Sequence, residues 1–187
     1  MSRIVPKAID ELGDLASLVN HGAEVMGFMA EDALIMAHCP DMLKGTGHMI
    51  NSILGTGTID PGLKRMLGFI TSQASGCHYC SAHTSYTAIK NGIEQEKLNA
   101  IWEYATSDLF SDQEKAALDF ANKAGMVPNA CTAEDYDKLS LYFSTEEIVE
   151  IVFTLSLYAF LNKFNDTVKT TIEEAPAMAY ENLKQQS

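Results

Sequence analysis

The chain lacks an apolar run long enough to cross a bilayer, which takes about 20 consecutive residues. Its longest, Ile148 to Leu161, is broken by Glu150 and Ser156, so no membrane partner is expected. Basic charge is scarce: 13 Lys and Arg against 25 Asp and Glu, a formal net charge of −12. Such a surface repels phosphate backbones and anionic lipid, which argues against nucleic acid as a partner. Behind the basic start Met1-Ser2-Arg3-Ile4-Val5-Pro6-Lys7, the acids Asp10, Glu11 and Asp14 interrupt the place where an export signal would carry its apolar core. A cytoplasmic location is therefore expected. Four cysteines are too few for a disulfide framework in 187 residues, and in a reducing compartment any disulfide here would be transient and catalytic. No glycine-rich phosphate loop and no Lys-Ser pair after one is found, so no cofactor is expected.

Segments that alternate apolar and polar residues between hairpin turns are also absent, which excludes a sheet and leaves an all-α fold. With 47% apolar and 20% charged residues, the length suits one well-filled domain over residues 1–187. Helical periodicity predicts helices over 10–28, 30–38, 41–54, 61–75, 77–91, 94–105, 111–125, 132–142, 144–171 and 176–185. Asp60-Pro61 is an N-cap with proline at the first helical position, Gly92 closes a helix, and Ser111-Asp112-Gln113-Glu114 and Ser144-Thr145-Glu146-Glu147 are capping boxes.

What the chain does have is Ser75-Gly76-Cys77-His78-Tyr79-Cys80-Ser81-Ala82-His83. With Ser75 and Gly76 at a helix start, Cys77 lies in the first turn and Cys80 one turn on, on the same face, so the two can reach disulfide geometry. Free amides and the positive end of the helix dipole favour a thiolate there, and favour Cys77, the more N-terminal thiol. His83, one turn beyond Cys80, is placed to act as general base, directly or through water held by Thr84, Ser85 or Tyr86. Zinc held by Cys77, Cys80 and His83, with or without His78, is a competing reading, weakened because Cys39 and Cys131 are single thiols and no second CxxC or HxxxH follows; no metal site is assigned. A haem attachment site needs histidine directly after the second cysteine, and Ser81 stands there. Cysteines that merely fill a helix interface are the remaining alternative.

These residues, with Asp60-Pro61-Gly62-Leu63-Lys64-Arg65, Ile89-Lys90-Asn91-Gly92-Ile93, Phe110 to Ala121 and Asn162-Lys163-Phe164-Asn165-Asp166, resemble the carboxymuconolactone decarboxylase-like family, in particular its alkylhydroperoxidase D-like (AhpD-like), peroxidase-related branch. The likeness spans about residues 30–170. It implies an AhpD-like helical bundle, a homo-oligomer (dimer, trimer or hexamer), and a thiol-dependent alkyl hydroperoxide reductase in antioxidant defence. In that cycle Cys80 is the peroxidatic thiol, Cys77 resolves its sulfenic acid to a disulfide and relays protons, His83 assists, and a dithiol partner restores the pair. A disulfide reductase or redox sensor without peroxide turnover is the alternative on the same thiols, and lactone decarboxylation ranks last. Two departures stand out. Arg65 occupies the place of the relay glutamate, twelve residues before the first cysteine, and two residues rather than three separate Cys80 from His83, with Thr84 in the usual slot. On an ideal helix the second shift turns the imidazole by about 100°. Candidates to complete the relay are Asp60, His48, Tyr86 and the acids Glu31 and Asp32, and Arg65 is either a solvated residue or a charge that lowers a thiol pKa.

Elsewhere, His38 fits a helix C-terminus, and His21 and His48 a surface or subunit contact. Asn162, Asn165 and Asp166 share one face of the last long helix as a buried polar network or a substrate-facing cluster.

Overall fold

Capping residues set where the helices begin. The computed structural model describes residues 1–185, and among them there is no strand. The expected helices at 10–28 and 94–105 form only in part. The first opens as two 3₁₀ turns before α1 (Ala16–Met26), and the second divides into α6 (Gln95–Asn99) and another 3₁₀ turn. Gly13, in the left-handed region at φ +51, marks the first break. The remaining elements are α2 (Glu31–Met36), α3 (Pro40–Leu54), α4 (Pro61–Ala74), α5 (His78–Lys90), α7 (Asp112–Gly125), α8 (Ala133–Ser140), α9 (Thr145–Val168) and α10 (Glu174–Gln185).

The Asp60 carboxylate accepts from the Leu63 amide, and the capping boxes at Ser111/Glu114 and Ser144/Glu147 are both closed. A third box, Thr132 with Asp135, starts α8.

α4 and α5 form the centre. α4 packs on α5, α7 and α9, and α5 packs also on α10 and α9. Met66, Leu67, Phe69 and Ile70 of α4 join Leu118 and Ala121 of α7 and Ile148, Ile151 and Leu155 of α9 in one core. A smaller core holds Leu12, Leu15, Val19, Met36 and Leu43, and lays the N-terminal helices over the outer end of α9. At the far end of α4, buried Lys64 donates to the Ile53 and Thr56 carbonyls and pairs with Glu150 at 2.6 Å, tying the 55–59 loop to α9. No helix among the described residues is long and apolar enough to cross a membrane.

α5 is an unusual central helix, because His, Ser, Thr and Cys dominate it and yet Tyr79 to Ser85 are all buried. Its hydroxyls are satisfied within the helix: Ser81 bonds the Cys77 carbonyl, Thr84 that of Cys80, Ser85 that of Ala82 and Thr87 that of His83. Small side chains let neighbouring helices approach closely, and back-bonding removes the cost of burying their oxygens.

Candidate functional site

Gly76, at φ +72, turns the chain between α4 and α5. The Cys77 amide closes α4 by donating to the Ser72 carbonyl at 2.9 Å, which leaves Cys77 as the N-cap of α5 and Cys80 as its third residue. Both thiols are free and buried, 1% and 4% exposed. They differ in what they face. Cys80 lines a cavity of about 260 Å³ and Cys77 does not.

The thiols share a proton. The Cys80 S–H donates to Cys77 and lowers the Cys77 pKa; burial opposes this, and the amides of Cys80 and Tyr79 at the helix start add to it. Cys80 is pushed well above the ordinary thiol value by that same bond, by burial, and by the charges of Cys77 and Asp32. At rest Cys77 is therefore the better thiolate, as the helix-start argument requires, while the thiol that meets the cavity keeps its proton. Cys77 is the nearest base for it.

A polar set surrounds Cys80. Asn165 Nδ2 lies 3.6 Å from Cys80 Sγ and 3.2 Å from Asp32 Oδ2, and its carbonyl oxygen accepts from Thr170 Oγ1 at 2.7 Å. Burial raises the Asp32 pKa against the opposing charge of His83 and the Asn165 hydrogen bond. His83 Nε2 meets Glu173 Oε2 at 2.5 Å, the other Glu173 oxygen accepts from Tyr79 Oη at 3.0 Å, and that same oxygen also takes the Glu31 amide. Burial pushes the Glu173 carboxyl up, but the His83 bond and charge, with the Glu31 amide, hold it below the usual carboxylate value. The tyrosine pKa rises well above its ordinary value through burial and the charges of Asp32 and Glu173, so the phenol remains a donor. Phe28 presses edge-on against His83 with ring centroids 4.9 Å apart.

Of the expected site residues, Cys80 and His83 line the cavity, while Cys77 is buried next to Cys80 without lining it. The other relay candidates go elsewhere. Asp60 is spent on capping α4, His48 is exposed on α3, and Tyr86 packs on Phe28 and does not line the cavity. Thr84 and Ser85 donate to carbonyls of their own helix, and Thr84 also lines the cavity. Of the two acids on α2, Asp32 comes to the cavity and Glu31 bonds Ser2 and the Thr171 amide. The polar face of α9 divides: Asn165 joins the site, Asn162 bonds Ser72, and Asp166 pairs with Lys169 in solvent. Sequence reading missed Glu173. It sits in the link between α9 and α10 with no motif around it, and arrives because Lys169, at φ +54, ends α9 in a left-handed turn that reverses the chain. Arg65 faces the cavity and donates to Tyr158 Oη at 3.2 Å. Among the described residues, no three of His, Cys, Asp and Glu form a metal-holding group.

The opposite wall is apolar. Leu18, Val19, Val25 and Met26 of α1 and Leu43, Ile50 and Leu54 of α3 line it. The arrangement can admit a small organic molecule and set it against a protonated thiol with a thiolate next to it.

Residues 40–123 match the model of the carboxymuconolactone decarboxylase family. A solved structure of a cysteine-to-alanine variant of the debrominase Bmp8, in complex with 2,3,4-tribromopyrrole, superposes with a TM-score of 0.92 at 28% identity and covers 96% of each chain. A peroxidase-related protein with an alkylhydroperoxidase AhpD core from Ralstonia eutropha JMP134 superposes with a TM-score of 0.83 at 19% identity, again over 96% of each chain; this likeness concerns the fold. The uncharacterized protein YnjA of Escherichia coli K12 is 24% identical over 110 residues, 59% of this chain, and the match spans only 60% of that relative.

Proposed function

From a chain whose residues 40–123 match the carboxymuconolactone decarboxylase family model in an AhpD-like helical fold, we propose a two-thiol reductase of small apolar organic molecules, with alkyl hydroperoxide as the first substrate class. One observation carries this reading: of two neighbouring buried thiols, Cys80 lines a mostly apolar cavity and Cys77 does not. The cavity is larger and greasier than hydrogen peroxide needs and suits an organic group.

In the cycle, Cys77 takes the Cys80 proton and the Cys80 thiolate attacks the O–O bond. That bond breaks, Cys80 becomes a sulfenic acid, and the leaving alkoxide takes a proton from His83, which Glu173 orients. Cys77 then attacks the sulfenic sulfur, forming the Cys77–Cys80 disulfide and releasing water once the leaving hydroxide is protonated. Two electrons pass from the thiols to the peroxide, and an external dithiol returns them. A cytoplasmic homo-oligomer remains part of this proposal.

The likeness to a debrominase over 96% of the chain supports a second reading, reductive dehalogenation of a halogenated ring. There the carbon–halogen bond breaks, a C–H bond forms, halide and a proton leave, and the two electrons come from the thiols, which are left as the same Cys77–Cys80 disulfide. Mass spectrometry of the reduced, chelator-treated protein after limiting cumene hydroperoxide or a bromopyrrole, with bromide measured in parallel, separates the two. Rapid disulfide formation with peroxide alone supports the first, and disulfide with stoichiometric bromide the second. Thiols inert to both reagents would remove the reductase reading.

A further inference from the structure

We infer that Arg65 is the binding residue for an anionic group, so that the molecule taken by this pocket is an organic anion, a small apolar body bearing a carboxylate. This rests on the reading that the cavity in front of Cys80 is the substrate site.

The position is set by packing. Arg65 leaves α4 half-buried and lines the cavity with Cys80, His83 and Tyr158. The Tyr158 ring lies directly on the α4 backbone at Gly68, where an added Cβ would be 2.2 Å from ring carbon Cε2. That close approach fixes the hydroxyl to which the guanidinium donates at 3.2 Å. No carboxylate among the described residues pairs with Arg65, although the chain carries 25 acids. A guanidinium has five N–H donors, and the single bond to Tyr158 leaves most of the fork unused.

A cation held at a largely apolar cavity with one neutral partner is poorly compensated, and a planar carboxylate is the group that matches its fork. Asp32 does not fill that role, because it is turned to Asn165. The charges that bear most on Cys80 come from Cys77 and Asp32, which leaves substrate binding, rather than thiol activation, as the task of Arg65.

The test is calorimetric titration of the reduced, full-length protein with 4-isopropylbenzoate and with the neutral, near-isosteric 4-isopropylbenzamide. The wild type should bind the benzoate about 10- to 100-fold more tightly, as expected for charge-assisted hydrogen bonds. Arg65→Gln should erase that preference while leaving the amide affinity unchanged, and Arg65→Lys should keep part of it. Thermal unfolding of each variant checks that it folds. Equal affinities in the wild type, no binding of either ligand, or an undiminished preference in Arg65→Gln would overturn the assignment. An altered pH profile of Cys80 alkylation with unaltered benzoate preference would do so too, by giving Arg65 to the thiol. Binding needs no turnover, so benzoate recognition by a redox-inert protein sinks the reductase reading alone, whereas turnover without anion preference sinks the anchor alone.

Discussion

The inner wall of the cavity, where α5 meets α9 and the turn at 169–173, carries Cys80, Asn165, Asp32 and His83, each held by a named bond. The outer wall, from α1 and α3, is mostly apolar, and of its α1 residues only Val19 is buried. The two walls obey different physics. Directional bonds fix the inner groups to within the tolerance that proton transfer and nucleophilic attack demand. Dispersion and burial hold the outer ones, which can yield to the shape of a ligand. Chemistry therefore belongs to the inner wall and choice of substrate to the outer, and substitutions should divide accordingly between turnover and affinity.

The thiols give the largest expected effect. Cys80→Ser should drop peroxide consumption to the buffer background, whereas Cys77→Ser should permit one turnover and leave a sulfenic acid or mixed disulfide on Cys80, read by mass spectrometry. Equal residual turnover in both variants would erase the distinction between the thiol that lines the cavity and the one that does not.

Next comes the His83–Glu173 pair. Removing a general acid–base group commonly costs about 10²–10⁴ in rate, and His83→Ala, which takes away the proton donor to the leaving alkoxide, should fall in that range at neutral pH, with no recovery as pH rises. Glu173→Gln, which only orients the imidazole, should cost roughly tenfold and change the pH profile of kcat while KM stays put. The same carboxylate links to stability. Its folded pKa lies below the ordinary 4.5, so its contribution is complete above that value and is lost as pH falls through the folded one. Melting curves of Glu173→Gln should accordingly flatten on the acid side of pH 4.5.

Asp32 has the opposite sign. Burial raises its pKa above 3.8, so the folded state keeps a proton that the unfolded chain releases, and stability declines as pH climbs from 3.8 through the folded value. Asp32→Asn should thus raise Tm at neutral pH and change it less near pH 4. It should also move Cys80 alkylation to lower pH, since the Asp32 charge is one of the groups that push that thiol up. A Tm that falls equally at both pH values would show a packing role instead.

The inner wall was only half legible in the sequence. The CxxC pair and His83 could be read because helix spacing alone places them on neighbouring turns, and the starts of α4, α7 and α9 because caps act within four residues. The partners of those groups could not. Glu173 reaches His83 across 90 residues, Asn165 reaches Cys80 across 85, and Asp32 reaches Asn165 across 133. No local rule encodes such distances. The hydroxyls of Thr84 and Ser85 show the converse: a motif shows that an oxygen is present, but not that its proton is already donated to a carbonyl of its own helix. Arg65, conspicuous as a departure at one position, takes its meaning only from the cavity it enters.

The smallest effect belongs to the outer wall, and it is the most sensitive check on the division. Ile50 of α3 lines the cavity and is partly exposed, so Ile50→Ala removes apolar contact without opening a sealed core. Pocket methylenes are worth about 1–3 kcal/mol each when fully engaged, and a half-exposed residue should deliver the low end, several-fold in KM for cumene hydroperoxide with kcat unchanged. The smaller tert-butyl hydroperoxide should be affected less, because it has less surface to lose. If instead kcat falls for both peroxides in parallel, α3 holds the inner wall in place and the two walls act as one structure, with positioning and selection no longer separable.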